Sequence, residues 1–446
     1  MRLMDRRHFL AGSLTGLATP ALAAPLSHYG LDAAQFGVRP GAADDQSARV
    51  QRALDQAAHT RIPLVLAPGV YRAADLRIGS GVQVLGVRGA TRLILGRSAP
   101  LFSAEHAETV TLTGLVLDGG GVSLSDGGGL VQLADVRGLR LTDCDIRNAG
   151  GSAVVLNQCD GGVSGCSIVD ASDTALFAND SRALTISGNT IRGAANGGIR
   201  VWQSEPRDDG SLITDNRIDN TQARAGGDGQ NGNAINVFRA GNVIVRGNRI
   251  RGAAFSAIRG NAASNIQIVG NNCAALGEVA IYSEFGFEGA VIAENLVDGA
   301  AFGIAVTNFK QGGRLAVVQG NLIRNLTPRR PQGGSDAAGV GIGVEADTAV
   351  TGNVVENAPS MGISVGAGQY QRDVAVSGNV VRTAGIGIGV SVSPGAGRAT
   401  ITGNIIAGAK RGAIVGMEWD KPTTGDLAAD GAQRYPHLTI ADNRAG

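Results

Sequence analysis

The chain contains few aromatic residues, few lysines and few histidines. Its 446 residues include two Trp, five Tyr, ten Phe and five His, and only three Lys, at positions 310, 410 and 421. No His lies between His106 and His437, so a histidine-dependent base, catalytic triad or zinc site is excluded from the central part of the chain. The 39 Lys and Arg residues balance 38 Asp and Glu residues, and such a balance provides no bulk attraction to nucleic acid.

Cysteine and long apolar runs are also scarce. The four Cys residues form no Cys-x-x-Cys pair, which argues against a metal knuckle and against a disulfide scaffold. Beyond the first 23 residues, no segment of the sequence is long and apolar enough to span a membrane. We therefore expect no insertion of the remaining chain into a membrane.

A short phrase recurs along the chain. It reads aliphatic, polar, usually Gly, usually Asn, any residue, then Ile or Val, and it occurs eleven times at spacings of 22 to 32 residues. The aliphatic residues three positions before and two positions after the usual Asn are expected to face one common core. The position of the usual Asn, called the anchor below, is held by Cys144, Cys166, Asn189, Asn216, Asn248, Asn271, Asn295, Asn321, Asn353, Asn379 and Asn404, with a partial copy at Asn443.

The repeat predicts a β-solenoid, because strands this short can bury their aliphatic side only by stacking on the next copy. We predict three short strands per coil, with the anchor in the tight turn before the third strand. About thirteen coils at about 4.8 Å each give a rod of roughly 60 Å. Asn suits such a turn because it tolerates the left-handed conformation, and its amide can hydrogen-bond to the anchor one coil away.

Two cysteines fall on adjacent anchors, at Cys144 and Cys166. We expect buried thiols that replace Asn, because directly stacked parallel neighbours usually strain a disulfide. A bonded pair is the alternative. Cys273 falls on an aliphatic core position and is expected to be structural.

The first 23 residues are typical of an export signal. Arg6-Arg7 and Phe9-Leu10 precede an apolar stretch that ends at Ala21-Leu22-Ala23, which is the order of a twin-arginine signal peptide. The twin-arginine export machinery is the partner that this signal implies. We expect the mature chain to begin near Ala24 and to be periplasmic or secreted.

A cap segment is predicted over residues 24–75, followed by the solenoid over residues 76–446. Asp44 or Asp45 can cap a helix in this segment. Such a helix is needed because an open solenoid end exposes core and unpaired strand edges. The residues that share the apolar face of the predicted helix are Val50, Ala53, Leu54 and Ala57.

The cap segment also carries a family resemblance. Phe36-Gly37, Asp44-Asp45 and Pro68-Gly69-x-Tyr71, with the Asn-anchored coils, resemble the pectate-lyase-like superfamily, and in particular its twin-arginine-exported repeat proteins. The resemblance implies an all-β fold, a single-stranded right-handed parallel β-helix with an N-terminal capping helix. The superfamily contains polysaccharide lyases, glycoside hydrolases, epimerases and phage spikes, so the fold transfers but no single activity does.

In that superfamily the substrate groove commonly lies on the outer face of the strand that follows the Gly-rich turn of each coil. Here the aromatic residues Phe177, Trp202, Phe238 and Tyr282 are predicted to form one external column over roughly 20 Å. Their flat faces suit sugar rings, and arginines between them suit carboxylates. An aromatic ladder that only stabilises exposed strands is the alternative. The predicted substrate-binding residues are Phe177, Arg200, Trp202, Asn236, Phe238 and Asn261.

Lyase chemistry fits this groove better than hydrolysis. A lyase neutralises a uronate carboxylate, removes the adjacent carbon-bound proton and releases the glycosidic oxygen. A hydrolase needs two carboxyl groups about 5 to 10 Å apart, and the outward acids of the groove are Glu284 and Glu345, two coils apart. Arg259 faces the carboxylate in this scheme, with proton transfer by Tyr282 or Lys310. The predicted catalytic residues are Arg259, Lys310, Tyr282 and Glu284.

The proposed lyase scheme does not specify a cofactor, but it is compatible with a bound calcium ion. Glu284 and Asp228 are candidate ligands, but the Gly-rich string that holds Asp228 is also typical of a flexible turn, and no dedicated metal site is predicted. The leading hypothesis is an exported β-helix protein that binds an acidic polysaccharide, with β-elimination favoured over hydrolysis. The alternative is a non-catalytic periplasmic repeat protein that binds glycan or a protein partner through the same face.

Overall fold

A computed structural model describes residues 30–125, 127–227, 229–307, 313–330 and 338–446. These residues form a right-handed parallel β-solenoid of about 13 turns with one short α-helix near the N-terminus, which confirms the predicted fold class. The predicted signal peptide lies outside the described residues. No described helix is long and apolar enough to cross a membrane.

Each turn contributes strands to three columns, as predicted. Column A is a 16-stranded sheet, formed by Leu31–Asp32, Leu64–Val65, Val82–Leu85, Val110–Thr113, Leu139–Thr142, Gly161–Ser164, Leu184–Ser187, Leu212–Thr214, Ile244–Arg246, Ile266–Val269, Glu288–Ala293, Arg314–Gln319, Ala346–Thr351, Arg372–Ser377, Ala399–Thr402 and Leu438–Ala441.

Columns B and C share a 28-stranded sheet. Column B, which follows the anchors, contains Gly69–Ala73, Thr91–Leu95, Val116–Asp118, Asp145–Ala149, Ser167–Ala171, Thr190–Arg192, Arg217–Asp219, Arg249–Arg251, Asn272–Ala274, Leu296–Asp298, Leu322–Arg324, Ile405–Ala409 and Arg444–Ala445. Column C contains Leu76–Arg77, Phe102–Ala107, Gly129–Val136, Ser152–Asn157, Thr174–Asn179, Gly197–Asp208, Asn233–Gly241, Ile258–Asn261, Val279–Glu284, Phe302–Thr307, Val340–Val344, Ile414–Glu418 and Lys421–Asp426. The long strands Val354–Val365 and Val380–Ser391 run through both columns.

The two aliphatic positions of the repeat face inward, as predicted. In column A, Leu141 pairs with Val163 and Val163 with Ile186, and these side chains are fully buried. In column B, Ile146 pairs with Ile168 in the same way. Each such side chain stabilises the fold by about 1.5–3 kcal/mol when it is fully buried, so the stacking of coils supplies the core that a single coil lacks.

The anchors form a continuous hydrogen-bonded ladder from Asn189 to Asn443. Each side-chain amide donates to the Oδ1 atom of the next anchor at 2.8–3.0 Å. The same Oδ1 atom accepts the backbone N–H of the preceding anchor at 2.9–3.0 Å. The predicted ladder is therefore present.

The conformational reason given for Asn was wrong. Throughout the described repeats, the left-handed residue is the one before the anchor, for example Gly188 at φ 63° and Asp215 at φ 56°. Gly is the most frequent residue at this position because it has no Cβ, and Asp or Glu occupies it in the other coils. Asn is needed for its buried hydrogen bonds instead.

Cys144 and Cys166 occupy the first two anchors as free, buried thiols, in agreement with the expectation. Their Sγ atoms donate to the carbonyl oxygens of Leu112 and Leu141 at 3.6 and 3.5 Å. These bonds reproduce the amide's contact with the preceding coil. A thiol has no strong acceptor to offer in place of Oδ1.

Secondary structure covers both ends of the solenoid. Helix α1, Ser47–Thr60, buries Val50, Ala53, Leu54 and Ala57, as predicted. The backbone N–H of Ser47 donates to Asp45 at 2.8 Å, whereas Asp44 pairs with Arg49. At the other end, Ile414–Glu418 forms an antiparallel hairpin with Lys421–Asp426, which shields the last edge of column C.

Candidate functional site

The outer side of column C, called the groove face below, carries two neighbouring lines of side chains. Alternate residues of each strand face outward. Because successive strands pair in register, these outward residues stack into two lines. The inward position between the two lines holds residues such as Val201 and Val237, which are fully buried. The first line contains Val155, Phe177, Arg200, Asn236, Arg259 and Tyr282, and the second contains Asn157, Asn179, Trp202, Phe238, Asn261 and Glu284.

The four aromatic residues therefore share a face but not one column. Phe177 and Tyr282 lie in the first line, and Trp202 and Phe238 in the second. The ring centroids of Phe177 and Trp202 lie 5.2 Å apart, edge to face, and those of Trp202 and Phe238 lie 5.8 Å apart. Aromatic contact across adjacent strands thus forms a ladder of three rings.

A cavity of about 430 Å³ lies beside this ladder. Trp202, Asn236, Phe238 and Asn261, all predicted to bind substrate, line it together with Gly229 and Gln230. The indole Nε1 of Trp202 donates to Oδ1 of Asn236 at 3.2 Å, and the Asn236 amide donates to the Gly229 carbonyl at 3.0 Å. Asn236 thereby fixes the indole against the loop that forms one wall.

The side chain of Arg200 is buried beneath the same loop. It is 6 % exposed, donates to Asn231 at 2.8 Å, and lies 3.9 Å from Asp173. Burial lowers the pKa of Arg200, and its Nε atom has no hydrogen-bond partner. A substrate carboxylate can reach this guanidinium only if the loop moves.

Arg259 lies in a second buried polar cluster. Its Nε donates to Glu284 at 2.5 Å, and Asn261 donates to the same carboxylate at 2.8 Å. Glu278 lies 3.9 Å from Arg259 and 2.9 Å from Arg330. Burial alone would lower the pKa of Arg259, but the Glu284 and Glu278 carboxylates raise it overall, so this guanidinium stays charged.

Tyr282 stands beside this cluster. Arg259 lies 5.3 Å from the centre of its ring, and the Thr307 hydroxyl donates to the Tyr282 oxygen at 3.5 Å. Burial, with the nearby Glu284 carboxylate, raises the pKa of Tyr282 to about 12. The phenol is therefore protonated at neutral pH and can donate a proton rather than remove one.

Two residues of the sequence-based scheme, Lys310 and Asp228, lie outside the described residues. Within the described ranges, no group of three or more His, Cys, Asp or Glu residues is placed to hold a metal ion. Glu284, the other candidate calcium ligand, is bonded to Arg259 and Asn261. The role of calcium thus stays a prediction.

Sequence reasoning missed the part that Gly229 and Gln230 take in lining the first cavity, since their Gly-rich string has no chemical signal of its own. It also missed a second cavity on the groove face. The second cavity has a volume of about 930 Å³ and lies among the last coils, between Phe302 and Pro422. The sequence feature that could have indicated this cavity was Trp419, one of only two Trp residues in the chain.

Comparison with known families agrees with this geometry. A family model described as "Right handed beta helix region" matches residues 110–218 and 152–313. The match supports a parallel β-helix family. A comparison with curated proteins gives no match.

Several solved structures are similar in fold. The A-module of a mannuronan C-5 epimerase from Azotobacter vinelandii has 14% identity and a TM-score of 0.48, with 93% of this chain and 99% of that chain covered. A surface adhesin of Streptococcus pneumoniae has 15% identity and a TM-score of 0.43, covering 86% and 91%. The catalytic unit of an alpha-1,3-glucanase from Streptomyces thermodiastaticus has 16% identity and a TM-score of 0.44, covering 93% and 68%. No conclusion about function rests on likenesses this distant.

Proposed function

We propose that the protein is an exported β-helix protein that binds a polysaccharide along the groove face, with the cavity at Trp202 and Phe238 as the main contact. The observation that carries the proposal is this cavity, in which two aromatic rings and three side-chain amides surround one space. Ring faces suit the apolar faces of sugars. A few fixed polar groups in a largely apolar pocket are the usual means of orienting a ligand.

The proposal extends to acidic chains. Arg239 lies 4.8 Å from the centre of the Phe238 ring and donates to the Ser204 carbonyl at 2.6 Å. Within the described chain, no carboxylate forms an ion pair with Arg239. A uronate carboxylate bound near Phe238 would meet this cation, whereas Arg200 and Arg259 are buried.

Cleavage by β-elimination is the second candidate function. It is favoured by the protonated Tyr282 phenol beside the charged Arg259, a pair suited to donate a proton to the leaving oxygen near a uronate. In this proposal Lys310, the other predicted proton-transfer residue, is the base that takes the carbon-bound proton. Hydrolysis is less supported, because the groove carboxylate Glu284 is already engaged by Arg259. A protein that only binds the polysaccharide does not require Tyr282, Arg259 or Glu284 to leave their present contacts.

Binding and cleavage are tested together on acidic polysaccharides, polygalacturonate and alginate, and on neutral glucans, with and without calcium. Trp202→Ala should weaken binding about 30-fold, since a central aromatic contact is worth about 2 kcal/mol or more. The control is Val87→Ala, which alters an exposed apolar side chain outside the groove face.

Unsaturated products, measured by ultraviolet absorbance, would establish β-elimination, and Tyr282→Phe should then slow it. If a polymer binds but stays intact, the protein is a binding module. If Trp202→Ala leaves the affinity for every polymer unchanged, the proposed binding site is wrong.

Export is tested separately. Replacing Arg6 and Arg7 by Lys should keep the protein in the cytoplasm if the twin-arginine machinery exports it. Cell fractionation followed by detection of the chain measures this. Unchanged export of the double-Lys variant would refute that route.

A further inference from the structure

The larger cavity has an apolar floor that is separate from the core. Val340, Met361, Ile386 and Met417 form this floor, with Phe302 packed against it. Small residues of the groove face make room for these side chains. A Cβ atom on Gly343 would lie 2.6 Å from the Phe302 ring, and one on Gly389 would lie 2.5 Å from the Met361 sulfur.

Trp419 forms one wall of this cavity. It lies in the turn of the C-terminal hairpin with φ 56°, and half of it is exposed. Its ring meets Tyr370 edge to face at 6.0 Å. A Cβ atom on Gly368 would lie 2.5 Å from the indole, so Gly at this position lets the ring lie flat against the backbone.

The rim of the cavity is polar. Arg329, Arg411, Glu345 and Asp420 line it, and Arg411 donates to the Ser360 carbonyl at 3.1 Å. A flat aromatic wall beside polar groups also occurs in the cavity at Trp202, where the polar groups are amides rather than charged side chains. It offers a ring to an apolar sugar face and hydrogen-bonding groups to hydroxyls.

The two tryptophans of the chain thus each line one cavity of the groove face. The strand that holds Trp202 and the strand that leads into Trp419 are eight coils apart. At about 4.8 Å per coil, the two indoles are separated by roughly 40 Å along the rod. A long polymer can reach both, and a short oligosaccharide cannot.

We propose that the cavity at Trp419 is a second sugar-binding site, which takes a further stretch of the polysaccharide chain held at Trp202. This inference rests on the proposed function. It predicts that the affinity rises steeply with chain length, because the second contact becomes intramolecular once the first has formed. This rise should be much larger than the one expected merely because a longer chain offers more positions at which the first site can bind. A gain of about a hundredfold from short to long chains is expected.

Single-tryptophan variants separate the two sites. In Trp202→Phe, Trp419 is the only indole and reports on the second cavity, whereas in Trp419→Phe, Trp202 reports on the first. Each variant is titrated with short and long fractions of polygalacturonate, of alginate and of a neutral glucan, and the fluorescence of the remaining indole is followed. Arg411→Ala tests the rim with little risk to folding, and Val87→Ala is the surface control.

The expected result is that a long chain shifts the emission of both indoles and that Trp419→Ala removes most of the length-dependent gain. Arg411→Ala should reduce that gain, and Val87→Ala should not. If Trp202 responds while Trp419 stays silent at every chain length, the second site is refuted and the proposed function stands. If neither indole responds to any of the polymers, both fail.

Discussion

The asparagine ladder offers the sharpest test of how the coils are held together, and Asn271 at its middle is the residue to change. Its amide donates to the Val245 carbonyl at 3.0 Å and to Oδ1 of Asn295 at 3.0 Å. Its own Oδ1 accepts both the backbone N–H and the side-chain amide of Asn248. The side chain is fully enclosed, at 1 % exposed.

Asn271→Ala leaves the backbone N–H of Asn248 and the Val245 carbonyl without these partners. Each buried polar group that loses its partner costs about 1–3 kcal/mol, so the loss of these two partners should lower the free energy of unfolding by about 2–6 kcal/mol. Asn271→Cys should cost less, because the thiols at Cys144 and Cys166 still donate to a carbonyl of the preceding coil.

Asn443→Ala is the matched control. Asn443 makes the same kinds of bonds with Asn404, but it is partly exposed at the end of the ladder, where water can replace the lost groups. Asn443→Ala should therefore lower the free energy of unfolding by only about 1 kcal/mol. Gln267→Ala, an exposed position on the same coil as Asn271, controls for general effects on the strand.

Urea unfolding followed by circular dichroism measures the difference. Because a solenoid can unfold in segments, the fluorescence of Trp202 and Trp419 should be followed in parallel on the two sides of the changed coil. If Asn271→Ala is no more destabilising than Asn443→Ala, the aliphatic stacking alone holds the coils and the role assigned to the ladder is wrong.

Three further predictions concern buried contacts. Burial alone would raise the pKa of Asp118, but its hydrogen bonds to Arg and Asn side chains lower this pKa to about 2. Asp118→Asn should therefore lower the free energy of unfolding by about 2–3 kcal/mol at pH 7. This difference should shrink as the pH falls from about 4 towards 2, and urea titrations that show a constant difference at several pH values would contradict it. Glu284→Gln should cost about 3–5 kcal/mol because it leaves Arg259 without its closest carboxylate, whereas replacing both residues by Met should cost less, as thermal unfolding can measure. Gly368→Ala should push the Trp419 indole away and shift its fluorescence in the variant that keeps Trp419 as the only indole, and an unchanged spectrum would contradict the packing described.

Much of the candidate site could be predicted from the sequence because a parallel repeat in register carries its own geometry. Once the inward positions are known, the residues between them must face outward, which brought Trp202, Phe238 and Asn261 to one face. Which charged side chains of that face are accessible to a ligand could not be predicted in this way. Arg200 and Arg259 occupy outward positions, yet one is covered by a loop and the other pairs with Glu284.

The solenoid, the inward columns and the ladder follow from the sequence alone, because each depends on residues that recur at the same place in successive coils. The positions of the cavities and the charges that reach solvent become known from the folded molecule. Those features depend on loop paths and on contacts between distant residues, such as Arg330 with Glu278 and Trp419 with Tyr370. No periodic pattern encodes such contacts, since each occurs once and depends on how far a turn projects across the face.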